Sequence, residues 1–564
     1  MTGSCWRRPA AIAMALVLGA CAPATGPAQP AAGGAPVRGG TLIFALWQEP
    51  TTLAPLYINQ TVGTVVGNVV NEGLIMTEAD GSYAPKLAKS LPTLENGGVK
   101  LSPDGKKMSV TYELLPELKW SDGKAVTSAD VKFTWEAWMR DAKVVNRAGF
   151  SDIESVDTPS EVTAVVNYRT IYAAYPLNFA SVLPKHMLEN EVDISRTAYN
   201  RMPIGTGPFR ITEFKSGDSI TAERNENYRV KDRPYLDRVI FKSVPDSKVA
   251  IAQLKAGEVQ GMWNLLESET QDVENDPNIK VFADPGPSVE RIELNTARNQ
   301  DQTDPNSVHP VLGELAVRRA LLHATPIPQI IDKILFNKVR PASSPVSQGW
   351  ASPKELKQDG YDPNKANDEL DRAGWTKGPD GVRAKNSVRA ALTITTTTGN
   401  QARERIEQVL IDAYKAVGVE LKIQNQPSSV LLSGSWASGD PRKRGSFDLV
   451  MYASSPGIDP HTVASQRYHS KNIPSAANGG IGQNYTRFKD AEADKAIDEA
   501  GATLDQQKRR DAYARALTRL NDAVAIIWMY ERADIDAHRA DVFGWKNNPW
   551  QEVTSNIEDW FLKK

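Results

Sequence analysis

The sequence predicts an α/β protein built on more than one lobe, and three observations carry that expectation. Its 564 residues exceed what one hydrophobic core ordinarily serves, so two or three lobes are expected. The C-terminal half runs strand, helix, strand, an order that calls for a right-handed parallel unit. Apolar residues make up 41% and charged residues 24% of the chain, with a net charge of −2, the balance of a soluble chain held by its cores. That even balance argues against nucleic acid or an acidic membrane surface as partner, because polyanion binding needs a concentrated basic face. A tight basic run, Arg442-Lys443-Arg444, sits among Gly, Ser and Asp and reads as a solvated loop.

At the start of the chain, Arg7 and Arg8 precede the apolar stretch 10–18 and then Gly19-Ala20-Cys21. Nine apolar residues are too few to span a bilayer but suit the core of a signal peptide, assigned to 1–20. Leu18-Gly19-Ala20-Cys21 resembles a bacterial lipobox, which implies cleavage before Cys21 and acylation of its thiol. The alternative is a plain signal peptide cut elsewhere, with Cys21 incidental. Residues 21–40, rich in Ala, Pro and Gly, follow as a flexible, lipid-proximal linker. Cys5 leaves with the signal, so the mature chain keeps Cys21 alone and forms no internal disulfide. No other stretch approaches about 18 consecutive apolar residues, so the lipid is the one expected membrane contact.

The folded part opens with a buried strand over 41–46, TLIFAL, and a short helical segment is expected over 68–74. Over 107–114, Met108, Val110, Tyr112 and Leu114 alternate with polar residues, the mark of a half-buried strand. Asp122-Gly123 supplies residues that tolerate positive φ in a tight turn. Thr127 and Asp130 then form a capping box ahead of Val131, Trp135 and Trp138, whose spacing makes one helical face and places the tryptophans in a core. Further on, a strand over 392–398 precedes a helix with Ile406, Val409, Leu410, Ala413 and Val417 on one face, stopped by Gly418. Val419, Leu421 and Ile423 alternate in a second strand, and 447–452 reads as a third.

Motifs of catalysis are missing from the sequence. There is no GxxxxGK[ST], HExxH, GxSxG or CxxC, and Gly205-Thr206-Gly207 runs into Pro208, which lacks the N–H a phosphate cradle needs. The six histidines are scattered; His461 and His469 are eight apart, whereas a single helical metal face wants i and i+4. Neither a cofactor nor a metal is expected.

Several blocks spread over almost the whole chain resemble one family. They include Tyr83-Ala84-Pro85-Lys86-Leu87-Ala88 and, most specifically, 118–131, with Trp120, Asp122-Gly123, Thr127 and Asp130-Val131 all in place. Gly205-Thr206-Gly207-Pro208-Phe209, Arg233-Pro234-Tyr235, Leu254-Lys255-Ala256-Gly257-Glu258, Glu293-Leu294-Asn295, Ala373-Gly374-Trp375 and Asp459-Pro460 follow in family order. The family is the dipeptide/oligopeptide branch of ABC-importer solute-binding proteins, family 5. The resemblance implies a bilobal type 2 periplasmic-binding-protein fold with an extra subdomain. Lobe I would comprise 41–78, 205–296 and 525–564, the inserted subdomain 79–204 and lobe II 297–524, with crossings near Asn295 and Ile526. It also implies a monomeric carrier outside the cytoplasm that closes on a peptide or other small polar solute and hands it to a membrane permease. The partner ATPase would supply the energy.

Carried over position by position, the resemblance points to a set of ligand contacts. Trp47 and Glu49 follow the first strand, Asn68 and Glu72 lie on the next segment, and Trp350 sits in a Ser/Pro/Gly-rich connection. Tyr452, Ser454, Ser455 and Asp459 line the loop similar to the relatives' ligand loop, and Asn484 and Tyr485 match a later cleft-facing pair. One position departs. Peptide binders of the family place an acid three residues before Asp-Pro to meet the ligand's ammonium, and here Pro456 stands there. A desolvated ammonium without a counter-charge is costly, so free-amine peptides are expected to bind weakly. Oligosaccharides, opine-like conjugates or amine-blocked ligands then stand beside peptides as candidates. Asp459 is the other acid within reach, although its place before Pro460 suits a turn. A divergent hydrolase or sensor on the same scaffold is the reading from a different class.

Overall fold

Strand β1, Thr41–Leu46, forms as expected, and a computed structural model shows why its run of apolar residues is nearly continuous. It lies inside a sheet with Leu42, Phe44, Ala45 and Leu46 all buried, so both faces need apolar side chains. The structure describes Met1 and residues 36–58, 60–141, 143–144, 147, 149–297, 307–437 and 439–563. The signal segment and Cys21 lie outside the described residues.

The helix expected over 68–74 is found earlier, as α1, Thr61–Gly67. Two glycines and several β-branched residues make this a poor helix by propensity; burial of Val62, Val65 and Val66 forms it nonetheless. Residues 69–70 are claimed by a different partner. The N–H of Gly207 donates to Val70 O at 2.7 Å and that of Phe209 to Val69 O at 2.9 Å. A Cβ on Gly205 would stand 2.0 Å from the same Val70 oxygen, so the glycines of the Gly-Thr-Gly triplet serve close backbone approach.

Strand β2, Met108–Glu113, and helix α2, Ser128–Arg140, appear where the sequence put them. The Thr127 N–H donates to Asp130 Oδ2 at 2.8 Å, and Val131 and Trp138 join Val110 and Tyr112 in one core cluster. Strands β3, Phe209–Lys215, β4, Ser219–Arg224, and β5, Arg238–Ser243, then build one side of the main sheet. The short β6, Gly261–Met262, and the 16-residue β7, Ile279–Leu294, carry the sheet onward. The second side holds β8, Ala391–Thr395, helix α3, Gln401–Ala416, and β9, Glu420–Ile423, then β10, Leu449–Ser454, and the 14-residue β11, Ile526–Arg539. The strand order is β9-β8-β10-β7-β11-β6-β1-β5-β4-β3, with Arg340–Pro341 pairing β11 as an eleventh member. β8 runs parallel to β9 and to β10, the unit expected from the strand–helix–strand order.

The two long strands tie separate cores together. Ala45, Leu254 and Ile535 pack with Val281 and Ala283 of β7, whereas Ile292 and Leu294 of the same strand pack with Ile394, Ile406 and Met451. Between these halves the antiparallel pairing of β7 with β11 breaks. Pro285 faces Ala533 and Val289 faces Glu531, leaving 286–288 opposite Arg532 alone. Prolines 285 and 287 cannot donate to a ladder, which localises the bulge. The side-chain amide of Gln348 caps the freed carbonyls of Pro285 and Gly286 at 2.6 and 3.1 Å. The strands therefore change cores at this bulge, several residues before Asn295 on β7 and after Ile526 on β11.

The basic run 442–444 corrects the sequence reading. Arg442 and Lys443 are buried: Arg442 donates to Asp440 and its guanidinium lies over Tyr452 and Tyr485, while Lys443 donates to the carbonyls of Gly480 and Gly482 at 2.7 and 2.8 Å. A Gly/Ser-rich setting suggested solvent, but each cation found carboxylate, carbonyl or ring partners.

Candidate ligand-binding site

A cavity of about 630 Å³ opens beside the bulge of β7, at the carboxyl ends of β1, β6 and β10. Strand ends of this kind are where open α/β sheets receive ligands, because the connecting loops leave a crevice there. Trp47 follows β1 and Trp263 follows β6; their rings stack at 5.7 Å with planes 4° apart, and Trp47 stays 42% exposed. Across the cavity, Trp550 fits against a backbone without side chains. A Cβ on Gly349 would come within 2.8 Å of its Cζ2, and one on Gly81 within 3.4 Å of its Nε1 and 3.1 Å of Gly349 Cα. The turn at 78–82 and the loop at 349 thus touch each other as well as Trp550.

Acids dominate the polar wall. β11 alternates across the sheet, so Ile535 and Ala537 enter a core while Asp534 and Asp536 face the cavity. Asp284 enters from the bulge, where it accepts from Asn547 Nδ2 at 2.7 Å, and Glu552 enters from the C-terminal segment. Arg532 is the single cation on the lining. Asp536 is 4% exposed and accepts the Asn264 N–H through Oδ1 at 2.9 Å. Burial, with the charges of Asp534 and Asp284, pushes its carboxyl up to about 7 against that hydrogen bond. Burial, with the charges of Asp534 and Asp536, pushes Glu552 up to about 8. Asp534 opens to water within the cleft yet is raised as well, by its enclosure and by Asp284, with Arg532 opposing.

Of the residues singled out from sequence, Trp47 and Ser455 line this cavity. Glu49 instead accepts from Ser216 Oγ at 2.8 Å and from the Gly217 N–H, fastening the β3–β4 turn. Asn68 caps the C-terminus of α1. Glu72 is buried between Lys86, Arg229 and the hydroxyl of Tyr228, with Arg229 at 3.1 Å. Tyr452 is buried and donates to Glu293 at 2.7 Å; Ser454 accepts from Arg291 and Arg467. Asn484 is fully buried and donates to Phe488 O at 2.8 Å, and Tyr485 lies beneath the Arg442 guanidinium. Trp350 and Asp459 line a second cavity, of about 320 Å³, where Asp459 accepts two bonds from Arg509 at 2.6 and 2.8 Å and Arg509 lies over the Trp350 ring.

Trp263, Asp284, Asp534, Asp536, Trp550 and Glu552 escaped the sequence reading. The signal for two of them was present in 533–537, where acids alternate with apolar residues in a strand; for Asp284 it was the Asp-Pro-Gly-Pro run. Among the described residues no group of three or more His, Cys, Asp or Glu has an arrangement that could hold a metal ion, and no helix is long and apolar enough to cross a membrane.

Comparison with known proteins matches residues 82–475 to the bacterial extracellular solute-binding proteins, family 5 Middle. The oligopeptide-binding protein AppA of Bacillus subtilis (strain 168) is 28% identical over 547 residues, spanning 94% of this chain and 93% of that protein. The structure of AppA in complex with a nonapeptide superposes with a TM-score of 0.71 at 27% identity, covering 94% of this chain and all of that one (100%). NikZ from Campylobacter jejuni in complex with Ni(L-His) gives a TM-score of 0.71 at 25% identity, over 92% of this chain and 99% of its own. The expected α/β fold of the type 2 periplasmic binding proteins is therefore the fold of this molecule. The chain belongs to the bacterial extracellular solute-binding proteins of family 5.

Proposed function

We propose that this protein is the extracytoplasmic solute receptor of an ABC importer, anchored through a lipid on Cys21, and that it carries a peptide between two closing lobes to the permease. The observation that carries the reading is the cavity itself. It lies at the bulge where β7 and β11 pass from one core to the other, with tryptophans on its walls and unpaired acids on its floor. A ligand touching both sides completes its contacts only in the closed form, so binding and closure are one equilibrium. Peptide is the favoured class because AppA, whose structure covers nearly the whole chain, is bound to a nonapeptide. An oligosaccharide or opine-like solute is the second reading, favoured by the exposed face of Trp47, on which a sugar ring could stack.

The roles expected from sequence are reassigned within this proposal. Trp47 and Ser455 touch the solute, and the other residues named from the family pattern support the walls. Native mass spectrometry of protein purified from the producing cell should show a co-purified mass that fragments as a peptide. Small-angle scattering should show the stripped protein expand and the reloaded protein contract. A carbohydrate mass would favour the second reading, and a scattering curve indifferent to loading would overturn closure.

A further inference from the structure

We infer that the solute presents a positively charged group, an ammonium or guanidinium, to Asp284, Asp534, Asp536 and Glu552 on the floor of the 630 Å³ cavity. This inference rests on reading that cavity as the solute site. The argument begins with how the chain treats acids elsewhere. Glu72 is matched by Lys86 and Arg229, Glu290 by Arg403, Glu293 by Arg291, Asp440 by Arg442 and Asp459 by Arg509, all of them buried acids with their cations in hydrogen-bond or ion-pair reach. A buried carboxylate left without such a partner is costly; among the described residues the buried acids outside the cavity that lack a cation, Asp130 and Glu407, are held by backbone N–H donors and by Asn425 instead.

The cavity breaks that pattern. Four carboxylates share its lining with one guanidinium, Arg532, whose charge is also drawn by Glu290 and Glu267 behind it. Asp536 is more than nine-tenths buried, yet only Oδ1 has a partner; among the described residues its second oxygen has none. The carboxylates of Asp534 and Glu552 likewise have neither hydrogen bond nor ion pair among the described residues. Asp536 and Glu552 thus stand on a ligand-sized space with no cation in hydrogen-bond or ion-pair reach among the described residues, and Asp534 feels only the longer-range pull of Arg532; the stacked pair Trp47 and Trp263 adds ring faces on which a cation is also favoured.

This changes the ligand expected from Pro456. The loop at 454–459 supplies no free acid, since Asp459 is held by Arg509 at 2.6 and 2.8 Å. The counter-charge comes instead from the opposite wall, from β11, the β7 bulge and the C-terminal segment. Free amines are then favoured, not excluded.

The test offers the stripped, full-length protein two pools and follows capture by native mass spectrometry. One is a pool of short arginine-free synthetic peptides, given with free amines and again fully acetylated. The other is spermidine with agmatine. The free-amine peptides should be captured about tenfold or more over their acetylated forms, the range of a charge-assisted hydrogen bond. Asp534→Asn and Asp536→Asn should erase that ratio without lowering the melting temperature, since each removes an acid that burial holds above its ordinary range. Equal capture of free and acetylated peptides would overturn the charge inference and leave the solute site standing. Capture of spermidine or agmatine with no peptide would uphold the charge and overturn the peptide reading. No capture of either pool would overturn both.

Discussion

Glu552 and Asp536 keep their protons to about pH 8 and 7, against usual values of 4.5 and 3.8, because burial and neighbouring charge penalise ionisation. The folded protein thus binds protons that the unfolded chain has already lost. Their contribution to stability is present below the unfolded values and is lost as pH rises through 7 to 8. The groups facing them are Asp284 from the bulge and Asp534 and Arg532 from β11, with Glu290 and Glu267 behind Arg532. His538, held down to about 4 by burial, does not titrate in that window. The unliganded protein should melt at lower temperature at pH 9 than at pH 6, and capture of free-amine peptide should strengthen from pH 6 to about 7.5, above which the peptide's own α-ammonium loses its proton. The double variant Asp536→Asn, Glu552→Gln should make both profiles shallower, leaving in the melting profile the share of Glu407, which burial pushes up to about 7; profiles unchanged in that variant would move the titration elsewhere. At this scale the sequence singled out Trp47 and Ser455, which line the cavity, but not the acids beside them. A polar residue in a loop reads alike whether it meets a solute or an arginine from a distant element. Glu72, Tyr452, Asp459 and Tyr485 all found arginines that only the fold brings near.

Elements were far more legible, because periodicity is local. The strands at 41–46, 108–113 and 420–423, the capped helix from 128 and the parallel β8–β10 unit each follow from apolar spacing or turn chemistry. α1 was misplaced because tertiary contacts outweigh its propensity, and the Asp-Pro-Gly-Pro bulge went unread because it interrupts a strand without ending it. Packing between elements yields a sharper expectation at Gly349. Its φ is +76°, and a Cβ would press to 2.8 Å from Trp550. Gly349→Ala should push Trp550 out of its seat between the 78–82 turn and the 349 loop, weakening solute capture by roughly tenfold, about 1.4 kcal/mol. Gly360→Ala, where a Cβ meets nothing within 4 Å, is the control and should leave capture unchanged. Equal effects of the two substitutions would sink the idea that the seat of Trp550 supports solute capture.

For the whole molecule, the family and the fold class were legible in ordered motifs spread along the chain, while the solute's chemistry was not. The site is assembled from segments as far apart as Trp47, Asp284, Asp534 and Glu552. The carrier role also requires that the receptor stay near its permease, and the tetrad ending in Cys21 is the feature that would hold it there. Cys21→Ser should move the protein from the membrane fraction to the soluble extracytoplasmic fraction with solute capture intact. Wild-type protein found wholly soluble, with an N-terminus other than modified Cys21, would refute the anchor. The bulge of β7 has a mechanical consequence at this same scale. Between Pro285 and Val289 there are no ladder bonds with β11 to tear, and Gln348 already tends the spare carbonyls. The pair of strands therefore works like a bridge deck with an expansion joint, stiff along both spans and compliant over one short gap. The gap adjoins the cavity's acids, so in the closure proposed above a charge seated there would act beside the pivot and not at a rim.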